Sequence, residues 1–305
     1  MLRAVALAVA VGAAGCASVA PRPPALGMAW APVDSLNAEL PGGLRVLAGV
    51  SASDTVRAWA VVLDGAALDV AVADSAQGVS AFASARGACA AINAGYFDVA
   101  TGAPVGLAVD AGRAESPAVR SVERGELSYP VARGAVGVTA SGAVGVGWAW
   151  DDGDGACRFD RPFGNRPGAP SADRPACRPW PVREAVGAGP VLLRGGRAVV
   201  TSDAEGFFGT AIPARRHPRS AVGVEPGGRV WLVVVDGRQP ASRGATLGEL
   251  ALVLRDLGAT EALNLDGGGS SALAVRVGGR VVRLNRPTGT DAERPVATAL
   301  VAGCE

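Results

Sequence analysis

Residues 264–271 hold the densest group of side chains in the chain that could do chemistry. Their sequence is Asn-Leu-Asp-Gly-Gly-Gly-Ser-Ser, and it directly follows a short apolar run. Three glycines let a backbone turn its N–H groups toward an anion, and Asp266 adds a carboxylate beside them. A hairpin turn would also use glycine, but it would need only one or two and no acid followed by paired serines. The segment therefore predicts a binding or catalytic site.

A strand, a helix and a second strand are predicted to position this site. The first strand is the apolar run 229–235, which ends at Asp236. Thr246 begins a capping box, and leucines follow it at helical spacing before the run 261–265. A strand–helix–strand unit makes its two strands parallel, so both would end on the same side of the sheet. Asp236 and Asp266 would then lie about 5 Å apart, or about 10 Å apart with one strand between them.

Further blocks along the chain resemble one family in their order and spacing. They are Ala91-Ile-Asn-Ala-Gly-Tyr-Phe-Asp98, Ala188-Gly-Pro-Val-Leu-Leu193, His217-Pro-Arg-Ser-Ala-Val-Gly223, Val235-Asp-Gly-Arg238 and Glu293-Arg-Pro-Val-Ala297. Together with residues 264–271 they are similar to the phosphodiester glycosidase domain, the family of the mannose 6-phosphate uncovering enzyme. The resemblance covers about residues 80 to 302. It departs from the family at Ala94, Ser220 and Thr298, where the family commonly has Gly, Thr and Asn.

The resemblance implies an extracytoplasmic hydrolase that cleaves the glycosidic bond of a sugar-1-phosphodiester or a related envelope glycan. A phosphate leaving group is stable as an anion, so the site must bind an anion and stabilise an oxocarbenium-like centre. Asp266 and Asp236 are the predicted catalytic residues, and Arg219 and Arg238 are predicted to hold the phosphate. The full set of predicted substrate-binding residues is Asn93, Gly95, His217, Arg219, Arg238, Asn264, Gly267, Gly268, Gly269, Ser270, Ser271 and Arg294.

Some of these residues have structural alternatives. Asn93 follows an apolar strand and could hold a sugar hydroxyl or cap a turn. His217 is the only histidine, and it could donate a proton, bind substrate or serve a structural role. Arg294 could be a surface charge, although its match to the last block of the family favours an ion pair or a site contact.

Two other functions stay open. A serine hydrolase could use Ser270 or Ser271 with His217 and Asp236. The Gly-x-Ser-x-Gly elbow of such enzymes is absent, because Ala272 occupies the place of its last glycine. The third hypothesis is an envelope protein that binds glycan or phosphate in the same pocket without turnover.

The fold class predicted from these patterns is a mixed α/β domain, with a mixed sheet, flanking helices and a βαβ unit near residues 229–266. Residues 44–305 would form this domain, with a loop insertion at 151–181, after a Pro- and Ala-rich tether at 17–43. The formal net charge is +1, which gives no sign of a nucleic-acid partner. A carbohydrate or glycosyl-phosphate substrate is expected instead. The sequence requires no cofactor and leaves a need for a divalent metal open.

The first residues resemble a signal for export. Arg3 precedes a small apolar run at 4–14, which is too short to span a bilayer but fits the core of a signal peptide. Ala13-Ala-Gly-Cys16 then resembles a lipoprotein processing site, with Cys16 as the lipidated residue. Cleavage near Ala20 is the alternative. The expected location is the bacterial cell envelope, in the periplasm or the outer membrane, with a membrane contact through the lipid, and secretion is the alternative.

Four cysteines remain when Cys16 is set aside. An even number in an exported protein favours disulfides, and four cysteines allow three pairings. Cys157 and Cys177 flank a Pro- and Asp-rich loop that closure would stabilise, while Cys89 and Cys304 lie near the first and last strands of the site-bearing region. We therefore predict the pairs Cys157–Cys177 and Cys89–Cys304.

Overall fold

Strands dominate the chain, because Val, Ala and Leu recur in short runs separated by glycine and proline turns. The structure, a computed structural model, describes residues 26–52, 54–153, 155–288 and 292–304. Its strands are β1 (Met28–Pro32), β2 (Leu44–Ser51), β3 (Arg57–Leu63), β4 (Leu68–Gln77), β5 (Ala90–Asn93), β6 (Ala108–Asp110), β7 (Arg113–Ser116), β8 (Ser121–Arg124), β9 (Leu127–Pro130), β10 (Arg133–Thr139), β11 (Val144–Asp151), β12 (Ala156–Phe159), β13 (Cys177–Trp180), β14 (Val182–Gly187), β15 (Val191–Arg194), β16 (Arg197–Ala198), β17 (Arg219–Val224), β18 (Val230–Val235), β19 (Glu261–Asn264), β20 (Leu273–Val277), β21 (Arg280–Arg283) and β22 (Val296–Ala302). Its helices are α1 (Asp34–Asn37), α2 (Val79–Ala85), α3 (Ala211–Ala214) and α4 (Leu247–Asp256), with a 3-10 turn at Gly268–Ser270.

The strands form three large sheets and one hairpin. The first sheet has the order β1-β2-β3-β18-β17-β19-β15-β16, the second β13-β12-β11-β10-β14-β6-β7 and the third β21-β20-β5-β22-β4, while β8 pairs with β9. Every pairing between named strands of the described residues is antiparallel.

The predicted fold class, a mixed α/β domain with flanking helices, is wrong. Strands account for 45% of the described residues and helices for only 10%. The predicted strand–helix–strand segment is present as β18, α4 and β19, but β17 lies between the two strands and pairs antiparallel with both. Strand β17 is not predicted from the sequence, where residues 217–223 match a family motif but show no clear strand pattern.

The core lies where the three sheets face one another. It contains Val61, Ile92, Val136 and Leu232, one from each of four strands that belong to different parts of the chain. Helix α4 covers the other face of the first sheet, where its leucines pack on Ala221 and Val233 among others. The helix begins as predicted, with reciprocal hydrogen bonds between Thr246 and Glu249. The first sheet is therefore fixed on both faces near the strands that carry the site.

Two segments predicted as irregular contribute strands. The predicted tether at 17–43 contains β1, which is the edge strand of the first sheet, and the predicted loop insertion at 151–181 contains β12 and β13. The signal peptide and the lipidation site at Cys16 lie outside the described residues. No helix of the described part is long and apolar enough to cross a membrane.

Two disulfides close the chain on itself. Cys89 pairs with Cys304, which ties the residue before β5 to the segment after β22. Cys157 pairs with Cys177, which joins β12 to β13. This is the pairing that the sequence predicts from the closing of loops.

Candidate active site

A cavity of about 190 Å³ opens at the start of β17 and the end of β19. Its lining residues are Tyr96, Ala211, Ile212, His217, Arg219, Arg238, Asn264, Asp266, Gly267, Gly268, Gly269 and Arg294. Most of the predicted site residues are among them, although they come from distant parts of the sequence. A larger and shallower groove lies at Gly145, Arg158 and Arg194. It contains none of the predicted residues, so the smaller cavity is the candidate site.

Close neighbours explain why the loop at the cavity wall is made of glycine. A Cβ on Gly267 would lie 2.9 Å from the carbonyl oxygen of Pro218, and a Cβ on Gly269 would overlap the guanidinium of Arg294. Gly268 has a φ of +64°, which is a left-handed conformation that glycine adopts without strain. The three glycines therefore let backbone and arginine approach one another closely.

The amides of this loop are less free than the sequence suggests. Gly267 N donates to Asp266 Oδ1 at 2.8 Å, and Gly268 N donates to Pro218 O at 2.9 Å. Only the Gly269 amide has no protein acceptor within the described ranges. The predicted backbone nest for an anion is therefore largely occupied, and side chains must supply most of the anion binding.

Asp266 is the only carboxylate among the described residues that line the cavity. Burial raises the pKa of its carboxyl, and the Gly267 amide and the charge of Arg294 offset part of that rise. A raised pKa means that the surroundings compensate the negative charge incompletely. A positive centre that developed in the cavity would therefore be stabilised by this carboxylate.

Asp236, the predicted catalytic partner, does not line the cavity. The register of the first sheet pairs Val235 with Arg219, so the next residue along β18 points to the opposite face. Asp236 Oδ1 accepts a hydrogen bond from the Arg286 amide at 3.1 Å, and burial raises the pKa of this carboxyl to about 6. The structure therefore does not bring Asp236 and Asp266 together in this cavity, because the prediction counted the strands between the residues and ignored the alternation of faces.

Arg219 is a buried cation at the cavity wall, with 2% of its surface exposed. Its Nε donates to Ala245 O at 3.0 Å, and its Nη2 donates to Ile212 O at 2.7 Å and to Arg215 O at 2.9 Å. Burial lowers its pKa to about 10, so it stays protonated at neutral pH. Carbonyl dipoles hold the guanidinium in place, and no carboxylate of the described part of the chain forms a salt bridge with it.

His217 orients a second arginine. Arg238 Nη2 donates to His217 Nδ1 at 2.9 Å, and His217 Nε2 donates to Ala211 O at 3.1 Å. These partners assign a neutral ring with its proton on Nε2, and burial together with the nearby arginines lowers the pKa of the ring. Both ring nitrogens are engaged. Of the three roles considered for His217, the geometry supports the structural one, which is to position Arg238.

Arg238 itself has a φ of +57°, a conformation that residues other than glycine rarely adopt. Such backbone strain is typical of functional sites, where the surrounding structure holds it in place. This backbone conformation places the Arg238 side chain next to the glycine loop. A Cβ on Gly268 would lie 3.5 Å from the Arg238 guanidinium nitrogens.

Asn93 fixes the backbone of the site. Its Nδ2 donates to Asp266 O at 2.6 Å, and its Oδ1 accepts from Ser220 Oγ at 2.7 Å and from Ala272 N at 3.1 Å. The side chain thus joins the two ends of the glycine loop to β17. It does not line the cavity, so its predicted role in binding substrate is replaced by a positioning role.

Three other predicted binding residues lie behind the cavity wall. Gly95 donates its amide to Thr298 Oγ1 at 2.9 Å, and a Cβ on it would lie 2.8 Å from Gly187 O. Ser270 and Ser271 are 1% and 2% exposed. None of the three lines the cavity, so Gly95 serves close packing and the serine hydroxyls face the interior.

Tyr96 and Asn264 share one acceptor beside the cavity. Tyr96 Oη donates to Gly189 O at 2.8 Å, and Asn264 Nδ2 donates to the same oxygen at 2.8 Å. Gly189 N in turn donates to Asn264 O at 2.9 Å. Burial raises the pKa of Tyr96, so its hydroxyl keeps its proton. Tyr96 was not among the predicted site residues, although its position in the block 91–98 was a signal for the site.

Glu205 stabilises the backbone next to this wall through hydrogen bonds, and the sequence did not predict this role. The residue is fully buried, and its carboxylate accepts from Trp148 Nε1 at 2.9 Å, Val191 N at 2.8 Å and Gly134 N at 2.7 Å, and also from the Thr201 hydroxyl. It thereby joins strands of the first and second sheets. These donors lie far apart in the sequence, so no local pattern could indicate the role.

The charges of the cavity are unequal. Arg219, Arg238 and Arg294 face it with a single carboxylate, and none of the three forms a salt bridge within the described part of the chain. The site can therefore hold an anion such as phosphate and, beside it, a group that becomes positive during reaction.

Comparison with known proteins decides the family. A family model described as phosphodiester glycosidase matches residues 86–302. The chain belongs to the phosphodiester glycosidase family. No curated protein sequence matches it.

Solved structures share the fold of this phosphodiester glycosidase domain. The zebrafish N-acetylglucosamine-1-phosphodiester alpha-N-acetylglucosaminidase catalytic domain, auto-inhibited by its pro-peptide, is 18% identical with a TM-score of 0.59, and the match covers 94% of this chain and 85% of that one. A hypothetical protein from Synechocystis is 21% identical with a TM-score of 0.56, and the match covers 85% of this chain and 62% of that one. A protein from Burkholderia pseudomallei described as exported is 21% identical with a TM-score of 0.56, over 81% and 74% of the two chains.

The serine-hydrolase alternative finds no support in the site of this family member. Ser270 Oγ and Ser271 Oγ have no hydrogen-bond partner, and the ring nitrogens of His217 are bonded to Arg238 and Ala211. A serine nucleophile needs a base within hydrogen-bond reach, and His217 does not provide one. In the described ranges, no group of three His, Cys, Asp or Glu side chains is arranged to hold a metal ion.

Proposed function

We propose that the protein is an extracytoplasmic hydrolase that cleaves the glycosidic bond of a sugar-1-phosphodiester or a related envelope glycan. One observation carries this proposal: among the described residues, three arginines that form no salt bridge line a cavity in which Asp266 is the one lining carboxylate. Membership of the phosphodiester glycosidase family agrees with it.

The geometry supports a division of labour between the arginines and Asp266. Arg219, Arg238 and Arg294 would bind the phosphate, and Asp266 would face the anomeric carbon as positive charge develops there. Ordinary glycosidases use a second carboxylic acid to protonate the leaving oxygen. A phosphate monoester leaves as a stable anion, so a site with one carboxylate is sufficient for this substrate class.

We also propose that the protein is exported and lipidated at Cys16. Two disulfides support export, because such bonds persist in oxidising compartments. Replacing Cys16 with Ser should move the protein from the membrane fraction to the soluble fraction of the cell envelope. A protein that is soluble with Cys16 intact would contradict the anchor.

The decisive experiment compares charged and neutral substrates. The purified protein should release free sugar from some member of a panel of sugar-1-phosphodiesters. Arg219→Ala should reduce kcat/KM for that substrate by about 10²-fold or more, and it should affect a neutral aryl glycoside far less, since only the phosphodiester carries the anion.

Two controls complete the comparison. Arg238→Ala should show the same selectivity without removing the carbonyl contacts of Arg219, which guards against a folding defect. Arg280→Ala removes an equal charge from an exposed position outside the cavity and should change neither substrate. Equal loss on both substrate types would contradict the phosphate role, and binding without release of sugar would favour a non-catalytic protein.

A further inference from the structure

Arg294 differs from the other two cavity arginines in how it is held. Three carbonyl oxygens fix the Arg219 guanidinium, and His217 orients Arg238. Arg294 is exposed, and no carboxylate that the structure describes forms a salt bridge with it. Its guanidinium packs against Gly269. A long side chain loses much rotamer freedom when it is held in one place, so the position of this charge depends on the backbone that carries it.

The preceding residue, Glu293, attaches that backbone to helix α2. Its carboxylate accepts a hydrogen bond from Ser80 N at 2.9 Å and another from the Ser80 hydroxyl. A Cβ on Gly78 would lie 2.6 Å from Glu293 Oε2, so glycine at this position lets the carboxylate approach the start of the helix. Hydrogen bonds to an ionised acceptor are stronger than those between neutral groups. Glu293 therefore holds its own backbone close to α2.

Helix α2 is a firm support for this contact. Val79 and Val296 are 0% and 1% exposed, and they pack in the same apolar cluster. Val296 lies two residues after Arg294 and pairs with the last residue of β4. The chain is thus attached to the segment 77–80 on both sides of Arg294, by Glu293 before it and by Val296 after it.

The two neighbouring side chains reach different parts of the molecule. Glu293 contacts the start of α2, whereas Arg294 contacts Gly269 and lines the cavity. The guanidinium lies at the end of a long side chain, so a small rotation of the backbone at residue 293 would move it farther than the backbone itself moves. The hydrogen bonds of Glu293 oppose such a rotation.

We propose that Glu293 is a positioning residue, which through its hydrogen bonds to Ser80 places the Arg294 guanidinium where the phosphate of the substrate binds. This role rests on the proposed binding of phosphate by the cavity arginines. Glu293 does not line the cavity and makes no contact with the substrate. Its loss should therefore weaken phosphodiester binding only through Arg294.

Kinetics on two substrate types test this role. Glu293→Ala should raise KM for the phosphodiester substrate by about tenfold, the scale of one hydrogen bond to a charged group. Its kcat should change little, since the phosphate is bound both before and during the reaction, and KM for a neutral aryl glycoside should stay the same. Asp151→Ala is the matched control, because Asp151 Oδ1 accepts from Ala118 N at 2.7 Å outside the cavity. It should change neither KM.

A double substitution separates positioning from a general effect on folding. Arg294→Ala alone should raise KM for the phosphodiester, and adding Glu293→Ala should raise it no further, because residues that act through one another are not additive. Additive losses would overturn the proposal, and so would an equal loss on the neutral substrate.

A crystal structure of the Glu293→Ala protein tests the same role without a measurement of activity. The Arg294 guanidinium should leave Gly269, whereas in Asp151→Ala it should stay. If Glu293→Ala does not fold, Glu293→Gln keeps one acceptor oxygen for Ser80 and should displace the guanidinium in the same direction. A guanidinium that still packs against Gly269 would overturn the positioning role, even in a protein that cleaves phosphodiesters. A displaced guanidinium in a protein that cleaves none would support the positioning and overturn the proposed function alone.

Discussion

Asp236→Asn should remove one component of the pH dependence of stability while leaving turnover nearly intact. Asp236 is 6% exposed, and burial raises the pKa of its carboxyl from 3.8 to about 6. Between these two values the folded protein holds a proton that the unfolded chain has already lost. For this group, stability is therefore greatest below about pH 4 and falls as the pH rises through about 6.

The size of this effect follows from the shift. A change of about two pKa units corresponds to about 3 kcal/mol, at 1.36 kcal/mol for each unit. Asparagine cannot ionise, so the variant has no such dependence. Its amide can still accept from the Arg286 N–H, although the loss of one acceptor oxygen costs about 1 kcal/mol at every pH.

Urea unfolding of both proteins at about pH 4 and about pH 7.5 measures the difference. The stability of the variant relative to the unaltered protein should improve by about 2.5 kcal/mol between these two pH values, since the unfolded carboxyl is already partly ionised at pH 4. Asp203→Asn, at an exposed position, is the control and should show no such change. Turnover of the phosphodiester substrate should stay within about tenfold, because Asp236 lies on the face of the sheet that points away from the cavity.

Two results would refute the reasoning. A variant that retains the full pH dependence would mean that another group titrates. A loss of turnover of about 10²-fold or more, in a variant that is folded, would return Asp236 to the catalytic machinery.

Two further predictions concern the cavity and the disulfides. Asp266→Asn should reduce turnover by at least about 10²-fold. In the unaltered protein burial raises the pKa of Asp266, so activity should fall on acidification at a higher pH than for an ordinary aspartate. A decrease of kcat/KM centred at about pH 4 would contradict this. Cys157 and Cys177 lie 20 residues apart in sequence. Replacing both with Ser should lower the free energy of unfolding by about 3 kcal/mol, measured by denaturant titration. Unchanged stability would mean that the bond is strained or that the unfolded chain is already restricted.

Features that depend on neighbouring residues were predictable from the sequence. The glycine loop at 267–269 with Asp266, and the start of α4 at Thr246, are encoded within a few residues each. The pairing of the four cysteines followed from which loops closure would shorten. In each case the physical cause, a turn, a cap or a loop entropy, acts over a short or easily defined stretch of chain.

Features that depend on sheet register were not predictable in this way. Asp236 and Asp266 both follow an apolar strand, but β17 separates those strands and the alternation of faces turns one carboxylate away from the cavity. Likewise the engagement of Gly268 N by Pro218 and the four donors to Glu205 come from segments brought together only by the fold. A shift of one residue in the pairing of two strands would change such contacts, and the amino-acid composition does not indicate the register.

The contact between Gly269 and Arg294 changes how damage to the glycine loop should be interpreted. A Cβ at position 269 would occupy the volume of the Arg294 guanidinium, so the arginine, a flexible side chain, would move before the hydrogen-bonded loop did. In a screen of random variants, an added methyl group at Gly269 would then behave as the deletion of a charge. A classification by the chemical character of the new residue would count the Gly269 variant as a small apolar change. A classification by the substrate that each variant fails to bind would group it with the variants of the arginines.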